Sequence, residues 1–420
     1  MFKVPAQFQK NKDKIDEEIY FDPQGRWVES AINRSSLVRR VGIPESVVIH
    51  DDTLREGLNH PGVNVSEDMR MKIAEKLEEV GVPEIEAGSS GIKADAQFMK
   101  RLKHSGTKMK VGSHIRAGMG MGDFRKDVDS AIDAGVDVIN YIVPEIYYRN
   151  PDLDEDVLIE NLQESIRYSK EQGMFTAAGP FAYSFALMRK IDIAAVEAGA
   201  DRIYVYDYRG WYTPEAVSLV IKFVREAVGD KVQIAFHAHD DYGLATINAV
   251  EAIMSGAGLV DVNVNNIGPR CGNADFAETV LALETLYGIR TGIDLGKIYG
   301  LCKLVEDITG VPIAPNKPHT GANMYIYAGI HTDVIRGGAW WKSENIKAET
   351  IGHHRDVWWT PSVIDRGGLH GPVAHKVEDM GFKLTEDQLE KIFDKLREII
   401  KQKDYATDDE MERIIREVVS

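Results

Sequence analysis

The chain of 420 residues reads as an α/β protein built on a (β/α)8 barrel, followed by a smaller, mostly helical region. Three observations carry that reading. Apolar runs of strand length recur between Val47 and Val264 at a spacing of roughly 30 residues, the length of a strand–helix–strand unit. Segments with apolar residues at helical spacing lie between them. Several units echo one another: EEVGVPEIEAG, DAGVDVINYIV, EAGADRIYVYD and MSGAGLVDVNV. Each ends a helix on a glycine suited to the left-handed C-cap and enters a strand at once. An open doubly wound sheet would carry a glycine-rich phosphate loop after its first strand, and the sequence has none there.

Residues 1–45 form a polar, weakly periodic N-terminal arm, in which Phe2, Phe8, Tyr20, Phe21 and Trp27 argue against a disordered tail. The barrel is expected over 46–290. Its strands fall at Val47–Ile49, Pro83–Ile85, Met109–Val111, Val136–Ile142, Phe175–Ala178, Arg202–Tyr206, Val232–Phe236 and Leu259–Val264. Glu67–Val80 is helical, with Ile73, Leu77 and Val80 on one face. Thr213-Pro214-Glu215 is a helix start: an N-cap threonine, proline at the first position, then an acid. The remainder, 291–420, holds a helix around Leu295–Thr309, a proline-rich crossover (VPIAPNKPHTG) and a glycine-rich aromatic stretch. An amphipathic helix over Thr385–Gln402 follows. This region reads as too irregular for a core of its own. Its Trp340, Trp341, Trp358 and Trp359 are expected in core or dimer packing, and His353-His354 as a solvated pair.

Composition bounds the function. Hydrophobic residues make up 44% and charged residues 28%, as in a soluble globular protein. A net charge of −16 argues against nucleic acid or an anionic membrane as partner, since phosphate contacts need a basic surface. Cys271 and Cys302 are the two cysteines, so neither a disulfide framework nor a cysteine zinc site is expected. The first residues lack the apolar core of a signal peptide, and no run reaches membrane-spanning length. A cytoplasmic location is expected.

Function in such a barrel sits at the C-terminal strand ends. There the chain places Asp52-Thr53-Leu54-Arg55-Glu56-Gly57 after strand 1 and Glu86 at the end of strand 2. Strand 7 runs into IAFHAHDDYGLA, where His237 and His239 are two residues apart and project to the same side. Strand 8 leads to Asn265 and on to Asn273. A carboxylate, two imidazoles and an amide oxygen suit a divalent ion such as Mg2+, Mn2+ or Zn2+, acting as a Lewis acid on a carbonyl. Arg55 is suited to stabilising an enolate or oxyanion. Cys271 has no base paired with it by any motif.

DTLREG, FHAHDDYGLA and NIGPRCGNADFAETV, in that order, resemble the DRE-type TIM-barrel metal-dependent lyases and synthases. That superfamily includes isopropylmalate, homocitrate and citramalate synthases, hydroxymethylglutaryl-CoA lyase and metal-dependent oxoacid aldolases. The resemblance spans about residues 47 to 290. It implies Glu56, His237 and His239 as metal ligands with Asn273 as a fourth, Arg55 and Glu86 as catalytic residues, and Arg116 as a substrate contact. PHTGANMYIYAGIH at 318–331 and the helical tail are similar to what the condensing synthases carry after the barrel. By that likeness His331 takes part in activating the acyl-CoA methyl group. The synthase pattern further implies a homodimer in which His331 approaches the partner's metal site.

The departures from the family fall on the substrate side. Asn59 replaces a glutamine, and AAGPFAYS at 177–184 replaces a polar cluster on strand 5. Tyr208 replaces a threonine that helps hold the oxoacid carboxylate, with Arg209 adding a cation at the same rim. Ile326-Tyr327 stands where a histidine is usual. The expected function is a Claisen-type condensation of an acyl-CoA, acetyl-CoA first, with a small-molecule 2-oxoacid. The alternatives are a C–C lyase or aldolase in the same barrel and, from another class, a non-catalytic metal-binding subunit. Retention of the whole ligand set with Arg55 disfavours the last.

Overall fold

The computed structural model describes residues 19–34, 43–116, 124–143, 155–181, 184–328, 340, 343–361 and 371–419. Eight strands close a parallel barrel in chain order: β1 (Val48–Asp51), β2 (Glu84–Glu86), β3 (Lys110–Arg116), β4 (Val138–Val143), β5 (Phe175–Pro180), β6 (Arg202–Asp207), β7 (Gln233–Ala238) and β8 (Leu259–Val262). Closure is between β8 and β1, from Leu259 opposite Val48 to Val262 opposite Asp51. A helix follows each strand: α1 (Glu67–Val80), α2 (Lys93–His104), α3 (Phe124–Ala134), α4 (Glu155–Glu171), α5 (Phe185–Glu197), α6 (Pro214–Val228), α7 (Ala245–Met254) and α8 (Phe276–Thr285).

Local chemistry sets the boundaries. The Ser66 hydroxyl accepts from the Met69 N–H at 3.3 Å to open α1, and Gly81, at φ 98°, closes it where a side chain would strain the backbone. Ile73, Leu77 and Val80 are buried on the face their spacing predicts. Thr213 caps α6 as expected, accepting from Ala216 ahead of Pro214. Gly135, Gly199 and Gly256, at the ends of the other echoing units, also take positive φ.

The barrel interior changes character along the strands. One layer is apolar and includes Val48, Val138, Phe175, Ala177, Ala235 and Leu259. Two residues further along, on the same face, stand His50, Asn140, His237 and Asp261. Arg202 and Glu84 form an ion pair in this interior, Nη2 to Oε2 at 3.1 Å, and His50 Nδ1 lies 3.1 Å from Glu84 Oε1. Burial opposes the charge on Glu84, but His50 and Arg202 outweigh it and hold the carboxyl well below its usual range. The apolar runs of the sequence thus enclose a charged layer beneath the strand ends.

The chain divides into two units. The first, Ile32–Ile313, contains the barrel and also α9 (Ile298–Thr309), which packs on α1 rather than belonging to the C-terminal region. The second joins the described residues up to Ala31 to those from Ala314 onward. In it, Ile19–Phe21 and Val28–Ser30 form an antiparallel hairpin whose turn is tied by the Asp22 carboxylate to Arg26 Nε at 2.9 Å. A small sheet of β9 (Ile326–Ala328), β10 (Asp356–Trp359) and β11 (Ala406–Thr407) packs with α10 (Pro372–Asp379), α11 (Glu386–Lys403) and α12 (Asp408–Val419). This unit does have its own core. Trp359, Val373, Val377, Leu389, Ile392, Phe393, Leu396, Met411 and Ile415 are buried together, contrary to the expectation from its irregular sequence. Trp359 belongs to that core and donates its indole N–H to Asp408 at 3.1 Å, while Trp358 stacks on Tyr405 at 3.9 Å. His353 is buried beside Tyr325, not solvated. No helix among the described residues is long and apolar enough to cross a membrane.

Candidate active site

β7 ends with His237 and His239 on one side, their ring centroids 5.2 Å apart. Glu56 comes from the turn after β1, where the N–H groups of Arg55, Glu56 and Gly57 all bond back to the Asp52 carbonyl. Its Oε1 lies 3.5 Å from His239 Nε2. Glu56, His237 and His239 are all buried, and each offers one ligand atom within 4.8 Å of the others. The sequence-predicted triad is therefore assembled from β1 and β7.

Arg55 is the hub of the charged side. Its Nη2 lies 2.6 Å from Asp52 Oδ2 and 2.8 Å from Glu86 Oε2, its Nε donates to Glu86 at 3.0 Å, and its Nη1 bonds to Glu56. Nε, Nη1 and Nη2 each donate one hydrogen bond, and Nη1 has a second donor beyond the one given to Glu56. Burial raises the Asp52 carboxyl well above its ordinary range; Arg55 pulls it down but is outweighed once Glu86, Asp261 and Glu56 are added. Burial also works against Glu56, yet Arg55 and the two histidines dominate there and hold it at about 2. His239 is lowered to about 3 by burial and by His237. A carboxylate kept ionised beside a neutral imidazole is what a cation requires of its ligands.

His237 is oriented from below. Its Nδ1 lies 2.9 Å from Asp261 Oδ2 and 3.6 Å from Asp52 Oδ2, which places the proton on Nδ1 and leaves Nε2 as the acceptor nitrogen facing the triad. The other Asp261 oxygen accepts from the Tyr204 hydroxyl at 3.1 Å. Asp52, His237 and Asp261 form a second cluster with metal-ligand spacing, but Asp52 is already engaged by Arg55 and its buried carboxyl is raised well above its ordinary range. Nδ1 of His239 is buried without a hydrogen-bond partner among the described residues. Three carboxylates, Glu56, Glu86 and Asp261, crowd with the Asp52 carboxyl around one guanidinium and two imidazoles. That excess of negative charge, with two oriented imidazoles and one carboxylate, fits a divalent cation.

Asn273 arrives on the loop after β8. That loop is wound tightly: Asn265, Asn266 and Arg270 have φ near +58°, and a Cβ on Gly272 would lie 1.7 Å from the Asn266 carbonyl. It is laced to the end of β7, with Asp240 N–H bonding to the Gly272 carbonyl at 2.9 Å. The Asn273 amide reaches His237, Nδ2 to Nε2 at 3.2 Å, and also donates to the Ala238 carbonyl at 3.1 Å. Its Oδ1 accepts from Asn263 at 3.1 Å. Flipping the amide would set two NH2 groups against each other. Asn273 therefore stands beside the triad with its oxygen already engaged.

The other expected residues fall as follows. Glu86 touches Arg55 and, at 3.4 Å, Asn140 Nδ2. Tyr208 is at the site, its ring 5.4 Å from that of His239. Arg209 is exposed, its guanidinium 5.6 Å from the Trp211 ring centroid. Arg116 closes β3 in the backbone, but its side chain lies outside the described residues, as does all of His331. Asn59 donates to Glu56 Oε2 at 3.3 Å, and the Asp207 carboxylate ties its turn by accepting from the N–H groups of Trp211 and Tyr212. Sequence reasoning missed Asp261, Tyr204 and Asn140. Their signal was present as polar letters at every second position in otherwise apolar strands.

A sequence model described as HMGL-like matches residues 46–305. The chain is similar to archaeal synthases: a homocitrate synthase of Methanocaldococcus jannaschii matches at 32% identity over 389 residues, covering 89% of this chain and 91% of that protein. An (R)-citramalate synthase of the same organism matches at 31% over 382 residues, covering 89% of this chain and 74% of the relative. Among solved structures, the HMG-CoA lyase of Bacillus subtilis superposes with a TM-score of 0.58 at 20% identity, covering 66% of this chain and 98% of the lyase. That likeness is one of fold.

Proposed function

The chain belongs to the HMGL-like family, and on that footing we propose that it is an acyltransferase, joining an acyl-CoA, acetyl-CoA first, to a 2-oxoacid in a divalent-metal-dependent Claisen-type condensation. The observation that carries the reading is the buried Glu56–His237–His239 triad set directly against the Arg55 hub. The synthase relatives, matched well beyond the barrel, favour condensation over the lyase or aldolase direction.

Glu56, His237 and His239 would hold the ion, which when bound would supply Lewis-acid polarisation of the ketone. Asn273 stands beside His237, and Asp261 fixes the tautomer of that ring. Removal of a proton from the acyl-CoA methyl group, in which His331 takes part by its motif, gives an enolate whose carbon attacks the ketone carbon. The ketone π electrons pass to oxygen, and the remaining Nη1 donor of Arg55 meets the charge that develops there. Glu86 and Asp52 keep Arg55 from swinging away. Protonation of that oxygen gives the hydroxyl, and hydrolysis of the thioester releases CoA thiol and a 2-hydroxy di- or tricarboxylic acid. Arg116, Tyr208 and Arg209 are the proposed substrate contacts. A homodimer in which His331 serves the partner's site, in the cytoplasm, completes the proposal.

The test is thiol release from acetyl-CoA by the purified protein with Mn2+ and a panel of 2-oxoacids. Release that depends on one oxoacid, and that stops on chelation, supports the reading. Cleavage of a hydroxyacid or hydroxyacyl-CoA with no thiol release under any pairing would replace it with the lyase direction.

A further inference from the structure

We propose that the acceptor is a 2-oxoacid with an apolar side chain, packed against Phe181 and Tyr208, and that a dicarboxylic 2-oxoacid is a poor substrate; this rests on the synthase reading above. The site has two unlike halves. Asp52, Arg55 and Glu56 follow β1, and Glu86 ends β2. In a closed barrel of this order β5 and β6 stand across from β1 and β2, and there the side chains are rings. Phe181, directly after β5, stacks on Tyr208 at 4.7 Å and 17°, and meets Tyr206 edge-on at 4.9 Å. Tyr206 lies 5.5 Å from the His237 ring and Tyr208 lies 5.4 Å from that of His239. The aromatic surface thus begins at the two histidines themselves. A group on the carbon next to the ketone, with the ketone held at the triad, has this surface within reach.

Among the described residues, two cations on that side are already matched, and a third, Arg209, lies with its guanidinium 5.6 Å from the Trp211 ring centroid. Arg270 grips Asp241 with two bonds at 2.8 and 2.9 Å and donates to the Tyr208 carbonyl at 2.6 Å, which also fixes the Tyr208 backbone. Arg202 is buried on Glu84. A second carboxylate brought against these rings would lose its water, with Arg270 and Arg202 already paired to Asp241 and Glu84. An apolar substituent would instead gain contact area, at a difference of about ten- to two-hundredfold for a group of methylene size.

The experiment measures kcat/KM by thiol release, and affinity by calorimetric titration without acetyl-CoA, in the presence of Mn2+. The oxoacids are pyruvate, 2-oxobutanoate, 3-methyl-2-oxobutanoate, phenylpyruvate and 2-oxoglutarate. The expected result is that at least one apolar acid exceeds 2-oxoglutarate by about tenfold or more in both measurements. Phe181→Ala and Tyr208→Ala, each checked for fold by circular dichroism, should shrink that ratio about tenfold, mainly through KM. If one variant does not fold, the other decides. A preference for 2-oxoglutarate, or a ratio that neither folded variant moves, overturns the proposal. If no acid releases thiol, the synthase reading falls, and the binding preference alone supports or overturns the apolar wall.

Discussion

At the scale of residues, the account turns on side chains that act through one another. In the proposed site His237 can ligate through Nε2 because Asp261 holds the proton on Nδ1. Asp261→Asn should therefore weaken Mn2+ binding about 10- to 100-fold, read by calorimetry on a protein whose circular dichroism is unchanged. An affinity equal to the parent's would remove Asp261 from the site. Replacing both His237 and His239 with Ala should abolish stoichiometric metal in elemental analysis while the barrel still folds. The two imidazoles stand at the strand ends, beyond the apolar layer that closes the interior. Unchanged metal content would refute the triad. Glu56, His237 and His239 were legible in the sequence because they lie in short motifs with spacing that geometry explains. Asp261 was not, because one acid inside Leu259–Val262 gives no local hint of what faces it. The Asn273 amide is a third case: the loop motif placed it at the site, but only the hydrogen bond from Asn263 shows that its oxygen is engaged.

At the scale of elements, all eight strands, the helix over Glu67–Val80 and the helix start at Thr213 were readable from apolar runs, a cap and glycine C-caps. These are signals of short range, and each is met locally, as at Ser66, Thr213 and Gly81. The small sheet of the C-terminal unit was not legible. Its strands are two to four residues long and pair across intervals that no local pattern spans. One barrel helix carries a cost that can be measured. Asp192 in α5 is buried with neither carboxylate oxygen hydrogen-bonded among the described residues, and burial raises its pKa well above 3.8. The folded chain then keeps a proton that the unfolded chain releases above that value. Stability from this group is thus present at low pH and falls as pH rises through the interval between the two values. Asp192→Asn should melt close to the parent at pH 4 and several degrees above it at pH 8, by scanning calorimetry. A difference that does not grow with pH would mean that Asp192 has a partner in the folded chain.

At the scale of the whole molecule, the proposal joins a barrel that holds a cation to a second unit with its own core, whose AGIH motif carries His331. If sites are shared between subunits, mixing inactive Glu56→Ala protein with inactive His331→Ala protein, after verified subunit exchange, should restore part of the activity. Verified exchange without recovery would place each site within one chain. The central claim is that a new carbon–carbon bond is made between the acyl methyl group and the oxoacid ketone. It is tested most directly by carbon-13 NMR of the product formed from methyl-labelled acetyl-CoA, Mn2+ and the preferred oxoacid. The account predicts that the label moves from a thioester methyl to a methylene beside a tertiary alcohol carbon, in step with thiol release. Label recovered as free acetate, or left in acetyl-CoA while a hydroxyacid is cleaved, would contradict it.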